Sequence, residues 1–248
     1  MQQNTEIPST RESLTALINQ QVCCDNRELF RQLPDESIDL ILTDPPYKTY
    51  QSNRPIVHPR VKAMDSQQFD LPFFARECYR VLKKGHHLYC FCDHLTFPEI
   101  REELEKANFT YKNCLVWVKN NHGSGDLRGN WAPQHEFIIF ATKGRGKPLH
   151  GKRRSNVLLK RNGNGNLQFY PKVSNYRFKH GTAKPVDLLQ CLIEASTDKG
   201  DIVLDPYGGS GSTAEACITR QRRFILAEID PECYRRAEKR IAELEINS

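Results

Sequence analysis

The chain has 248 residues, enough to bury a substantial core as one large α/β domain with a modest insertion, so neither a disulfide framework nor a structural metal is needed to hold it. Hydrophobic residues make up 38% and charged residues 27%, ordinary values for a globular protein, and no apolar run approaches the length of a membrane span. The first twenty residues lack a basic patch leading into an apolar stretch, so no secretory signal is expected and the cytoplasm is the expected compartment.

In chain order, "QVCC" predicts a short strand, "DNRELFRQLP" a helix with Asp25 near its start, and "SIDLILTD" a buried strand. "FDLPFFARECYRVLKKG" reads as an amphipathic helix stopped by Gly85, followed by the strand "HHLYCFC" and a helix from about Pro98 to Ala107. The apolar stretches "FTYKNCLVWVK" and "EFIIFAT" flank a glycine-rich connection and are expected to pair as a hairpin at the sheet edge. Later, "KPVDLLQCLIEAST" predicts a helix opened by Pro185, with Leu188, Leu189, Leu192 and Ile193 on one face. "DIVLD" is then a strand, "PYGGSGST" a loop, "TAEACITR" a helix, "RRFILAEID" a strand and "PECYRRAEKRIAELE" a final helix. Such alternation implies a mostly parallel sheet with helices on both faces.

Nine cysteines scattered along the chain suit reduced thiols better than paired ones. His86, His87, Cys90, Cys92 and His94 form the one cluster worth weighing as a metal site. Its alternation fits a strand with Cys90 and Cys92 on one face, and no second pair completes four ligands, so core cysteines are the preferred reading and no metal is expected.

Net charge is +6, yet its distribution says more than its sum. Twelve Lys or Arg and no Asp or Glu lie between Phe137 and Val186, which leaves 24 basic against 30 acidic residues elsewhere. Glycines and asparagines in this stretch argue for loops and turns, and the interleaved Phe169, Tyr170, Tyr176 and Phe178 supply stacking and packing surface. A solvated basic linker is the bland alternative, and nucleic acid is the favoured partner. Lys152, Arg153, Arg154, Lys160 and Arg161 are the candidate phosphate and base contacts.

Two loops carry the chemistry. In "LILTDPPYK" an apolar strand ends in Asp44, Pro45, Pro46 and Tyr47. Prolines lack an N–H and fix φ, so this tip presents stiffly held acceptors beside an aromatic ring, a shape that suits a flat group bearing an NH2. In "DPYGGSGSTA", Gly209, Gly211 and Ala214 match the G-x-G-x-x-G/A spacing, and Glu228 stands 17 residues after Gly211 at the end of the next strand. Strand, glycine loop, helix, strand, acid is the layout for an adenosine cofactor, with the helix N-terminus facing an anionic group and the acid receiving ribose hydroxyls. No lysine follows the last glycine, which sets ATP aside; NAD and S-adenosylmethionine both remain open on the loop alone. Asp230, just before Pro231, reads as a helix N-cap, which leaves Glu228 as the ribose ligand.

Together these pieces resemble the amino-directed DNA methyltransferases of the permuted beta class, in which DPPY precedes the target-recognition region and the cofactor loop comes last. The matching segments are "LPDESIDLILTDPPY", "KPVDLL", "DIVLDPYGGSGST" and "FILAEIDPE", in that order. The resemblance implies a Rossmann-like, S-adenosylmethionine-dependent methyltransferase fold with circularly permuted motif order and an antiparallel edge hairpin. It implies catalytic and cofactor halves at 1–142 and 184–248 around a basic target-recognition insertion at 143–183. It assigns Asp44, Pro45, Pro46 and Tyr47 to catalysis. To the cofactor it assigns Asp205, Pro206, Tyr207, Gly208, Gly209, Ser210 and Gly211 in the loop, Glu228 at the ribose, Asp25 at the adenine, and Lys184 with Pro185 at the methionine end. Cys24 stands where the family carries glycine, and Tyr207 where it carries Phe. The implied activity is methyl transfer to adenine N6 of duplex DNA in a bacterial or phage-infected cell, associated with restriction–modification, with homodimer formation left open. Cytosine N4, which offers the same NH2 to the same grip, is the close alternative; the resemblance favours adenine, since an acid at the Asp44 position accompanies adenine and a serine cytosine. An RNA methyltransferase, an inactive DNA-binding module and an NAD dehydrogenase are the more distant ones, the last leaving both DPPY and the basic segment unexplained.

Overall fold

The computed structural model describes residues 11–46, 69–122, 129–164, 166–173 and 183–246. The elements in order are α1 (Arg11–Leu17), β1 (Gln20–Val22), α2 (Asn26–Gln32), β2 (Ile38–Thr43), α3 (Leu71–Val81), β3 (Leu82–Cys92), α4 (Phe97–Lys106), β4 (Phe109–Val118) and β5 (His135–Lys143). There follow β6 (Val157–Leu158), β7 (Lys160–Arg161), β8 (Leu167–Gln168), α5 (Val186–Ser196), β9 (Ile202–Asp205), α6 (Ser212–Thr219), β10 (Arg223–Ala227) and α7 (Pro231–Ile246).

Eight strands form one sheet in the order β1-β10-β9-β2-β3-β5-β4-β6, and β7 and β8 form a separate small ribbon. All neighbours in the large sheet run parallel except around β5, which is antiparallel to both β3 and β4. The expected hairpin of β4 and β5 is present, and the basic segment adds β6 beyond it, in parallel with β4.

Period-two alternation divides the core between two faces. Leu88, Cys90 and Cys92 of β3 join Ile41, Leu204 and Ile225 under Phe30 of α2, Phe74 and Cys78 of α3, and Ile100 and Leu104 of α4. Tyr89 and Phe91 join Leu40, Leu42, Val203 and Leu226 on the other face, under Leu188, Leu189, Leu192 and Ile193 of α5, Ala214 and Cys217 of α6, and Ile241 of α7. Burial on both sides explains why β2 and β9 are near-continuous apolar runs instead of alternating ones. Among the described residues no helix is long and apolar enough to cross a membrane.

Gly85 does not stop a helix. Helix α3 ends at Val81, and Gly85 lies inside β3 with φ of 78°, where the β2–β3 register shifts between Ile38 and Leu40. A left-handed residue in a strand makes a bulge, and here it lets Lys83 reach back to Asp39 while Leu82 stays in the core.

Asp39 is the one acid within the apolar β2, and two partners account for it. Its Oδ1 accepts from Lys83 Nζ at 2.6 Å and its Oδ2 from the Ile202 backbone N–H at 3.0 Å, which ties β2 to the start of β9. Asp39→Ala leaves that amide without an acceptor and should lower the unfolding free energy by about 2 kcal/mol, seen as a lower urea midpoint at unchanged slope.

Candidate functional site

Leu40 pairs with Val203 and Ile41 with Leu204, so β2 and β9 deliver their carboxyl ends side by side. Asp44, Pro45 and Pro46 follow β2, and the glycine loop follows β9. The two segments singled out in the sequence are therefore neighbours at the same sheet edge, the edge where ligands gather in doubly wound folds. Pro45 is buried, Pro46 half-buried, and the Asp44 side chain is 24% exposed. Tyr47 lies outside the described residues, as do Tyr176 and Phe178.

The glycine loop is braced from several directions. Asp205, buried at the end of β9, accepts from the Tyr207 N–H at 3.1 Å and from Thr213 Oγ1 at 2.7 Å, so one carboxylate joins both ends of the loop. Pro206 and Ser210 are buried within it. The Gly208 N–H donates to Ala227 O at 2.7 Å, and a Cβ at Gly208 would come within 3.0 Å of Leu226 side-chain atoms. Gly211, at the N-cap of α6 with φ of 74°, approaches Ala237 of α7 just as closely. Tyr207 packs its ring against Phe69 and Phe74, and its hydroxyl accepts from Asn26 Nδ2 at 2.7 Å. The extra oxygen of tyrosine thus has a partner on α2.

Glu228 ends β10 beside this loop. Its Oε2 accepts from the Gly209 N–H and its Oε1 from the Asp230 N–H, each at 2.8 Å. Burial holds its pKa above the ordinary carboxylate value, partly offset by those amides. Each oxygen keeps a second lone pair, so the carboxylate can brace the loop and still accept hydroxyl protons. Two loop amides expected to face an anion are donated within the protein instead, Gly209 to Glu228 and Gly211 to Gly208 O. Asp230 is the N-cap of α7, accepting from the Glu232 and Cys233 amides. Asp25 likewise caps α2 through the Arg27 N–H at 2.7 Å.

Lys184, read from sequence as a cofactor neighbour, carries a second feature. Its ammonium, on a side chain only 8% exposed, donates to Asp44 Oδ2 and lies 3.4 Å from Glu136 Oε2. Glu136 is itself paired through Oε1 with Lys119 at 2.7 Å. Burial would push the Glu136 carboxyl up, but Lys184 and Lys119 together hold it below the ordinary range. The result is a chain of alternating charges, Asp44, Lys184, Glu136 and Lys119, running from the β2 tip to the start of β5. Sequence reasoning passed over Glu136; its one signal was an acid opening the apolar strand "EFIIFAT". Pro185 caps α5 directly after Lys184 and fixes where that side chain starts.

The basic candidates divide. Lys152, Arg153 and Arg161 are exposed. Arg154 donates to Cys191 O at 2.7 Å, and Lys160 pairs with Asp187 and stands over the Tyr170 ring, so both fasten the segment to α5. Of the residues weighed as metal ligands, His86 Nδ1 meets Asp39 O, His87 bonds Ser196 and Lys147 O, and Cys90 and Cys92 are buried on one face. Among the described residues no group of three His, Cys, Asp or Glu is placed to hold a metal.

Residues 38–239 match the family model described as DNA methylase. The type II methyltransferase M.HpaI of Haemophilus parainfluenzae is 30% identical to this chain over 253 aligned residues, covering 90% of the chain and 74% of that protein. The DNA adenine methyltransferase YhdJ of Escherichia coli is 30% identical over 228, covering 82% and 75%. Among solved structures, M1.HpyAVI in complex with SAM matches with a TM-score of 0.67 at 26% identity, covering 89% of this chain and 98% of that one.

Burial raises the Asp205 carboxyl from 3.8 to about 6, only partly offset by Thr213 and the Tyr207 amide. Between those two values the folded protein holds a proton that the unfolded chain has released. Ionised Asp205 therefore costs stability above pH 6, and the cost fades as pH falls towards 4. Asp205→Asn removes this dependence: stability of the parent relative to the variant, from denaturant melts, should rise by on the order of 2 kcal/mol from pH 7 to pH 4.

Proposed function

The chain belongs to the DNA methylase family, and from that premise we propose that it moves a methyl group from S-adenosylmethionine to the N6 amine of an adenine turned out of duplex DNA. The observation that carries this reading is the Asp44 carboxylate, held beside Pro45 at the end of β2, one strand away from the glycine loop.

S-adenosylmethionine supplies a methyl group on a cationic sulfur. Glu228, with acceptor capacity left after binding two amides, is the residue proposed to hold the ribose, and the loop from Asp205 to Gly211 is proposed to frame the rest. Asp25 and Lys184 have other engagements here, as helix cap and as partner of Asp44, so contact with the cofactor is asked chiefly of the loop and Glu228.

An exocyclic amine on adenine is a poor nucleophile because its lone pair is delocalised into the ring. The Asp44 carboxylate and the Pro45 carbonyl offer two acceptors for its two protons. Holding both protons away from the ring plane favours a pyramidal nitrogen with a localised lone pair, and fixed acceptors in a partly desolvated site do this with little reorganisation. Reaching the amine requires the base to leave the stack. Adenine is preferred to cytosine because an acid occupies position 44, and because the similar YhdJ is a DNA adenine methyltransferase.

The segment 143–183 is proposed as the target reader, between catalytic and cofactor halves of one domain. Its exposed Lys152, Arg153 and Arg161 meet phosphate, while Arg154 and Lys160 keep the segment seated. The enzyme acts in the cytoplasm of a bacterial or phage-infected cell.

Tritiated S-adenosylmethionine incubated with protein and DNA, followed by digestion to nucleosides, should place label in N6-methyl-2′-deoxyadenosine; label in N4-methyl-2′-deoxycytidine would select the other base. Asp44→Ala should cut turnover at least about a hundredfold while cofactor affinity changes little, and undiminished transfer would contradict its role. For the reader, Lys152→Ala with Arg153→Ala should flatten the log–log dependence of DNA affinity on salt by roughly two. Arg154→Ala should instead lower the melting temperature.

A further inference from the structure

If Asp44 receives the target amine, as proposed above, one of its two oxygens is already engaged by a cation. Lys184 Nζ donates to Asp44 Oδ2, and a base amine is also a donor, so the two share one carboxylate and the ammonium draws on the charge the amine needs. The ammonium cannot simply be displaced towards solvent. Its side chain is 8% exposed, and an unpaired buried charge is strongly unfavourable. A second carboxylate lies within reach: Glu136 Oε2, 3.4 Å from the same Nζ, on a side chain 17% exposed. Lys119 holds the other oxygen of Glu136 at 2.7 Å, which fixes that carboxylate in place as a receiver. The Phe91 ring, its centroid 5.1 Å from Nζ, gives the ammonium a face to rest against.

We propose that Lys184 stands in for the target amine in the base-free enzyme, and that Glu136 is a positioning residue that takes the ammonium over when the base arrives. Before the base enters, Lys184 compensates Asp44, which would otherwise face the nearby Asp205 carboxyl with no balancing charge. Once the amine donates to Asp44, the ammonium shifts to Glu136, and the site keeps a paired cation beside the reacting nitrogen that no longer draws on the same carboxylate. Loss of Glu136 would leave the ammonium on Asp44 and weaken that carboxylate as an acceptor for the base.

The experiment uses the full chain and a duplex bearing the motif found by sequencing DNA the enzyme has methylated. Glu136→Gln should lower kcat about tenfold or more, with S-adenosylmethionine affinity by calorimetry within about twofold of the parent. Adding Lys184→Met to that variant removes the competitor and should recover at least about threefold in kcat, and Glu136→Asp, which keeps the charge, should stay within about threefold of the parent. A merely structural Glu136 predicts the reverse for the double variant, which loses a second buried partner. An unchanged kcat in Glu136→Gln, or a double variant and an Asp variant no better than Glu136→Gln, overturns the exchange. Retained transfer by Asp44→Ala is a separate result that removes the acceptor reading itself.

Discussion

Parallel pairing of two strands more than 150 residues apart in the chain governs everything at the site. β2 and β9 hydrogen-bond side by side at the centre of the sheet, both buried on both faces; Asp44 directly follows β2 and Asp205 closes β9. Because strands of one direction place their carboxyl ends together, the Asp44 tip and the Asp205 loop must meet. The same geometry concentrates negative charge. Asp44 contributes to the upward push on the Asp205 carboxyl, and Glu228 and Glu136 stand at neighbouring strand ends. The fold answers each carboxylate separately. Asp205 and Glu228 are met by hydroxyl and amide donors, Asp44 and Glu136 by the ammoniums of Lys184 and Lys119. The uncharged donors leave their acids with raised pKa values, whereas the cations pull Glu136 down.

Much of this was legible before any coordinates. Near-continuous apolar runs at 38–43 and 202–205 announce doubly buried strands, and the glycine spacing together with Glu228 marks a strand-loop-helix-strand unit, because those patterns report local requirements of backbone and burial. Long-range pairings left no such mark. Glu136 is one acid at the head of an apolar strand, and nothing near it in sequence says that Lys119 and Lys184 will converge on it. Gly85 illustrates the opposite error: a glycine after an amphipathic run predicts a helix stop, while its left-handed φ serves a bulge that depends on β2 lying alongside. Asn26 is similarly silent until the fold sets it against the Tyr207 hydroxyl.

The cations of the basic segment do not all face outward. Of the twelve cations between Phe137 and Val186, Lys143 pairs with Glu36, Lys147 contacts His86, Lys160 pairs with Asp187, and Lys184 belongs to the ion-pair chain at the site. Arg154 is spent on the α5 backbone. A composition skew measures where basic residues are, and only the fold separates those that hold the segment down from those left facing outward.

The short strand β6 makes that segment more than a loop laid on a surface. Val157 and Leu158 pair with Val116 and Trp117, Val116 donates to Asn156 O, and the buried Trp117 indole donates to Tyr170 O. Anyone exchanging this region between relatives would be cutting through a shared sheet and a shared core. Grafts that carry 156–158 and 170 along with their β4 counterparts keep the seam intact, and junctions placed inside it transplant an edge without the strand that holds it.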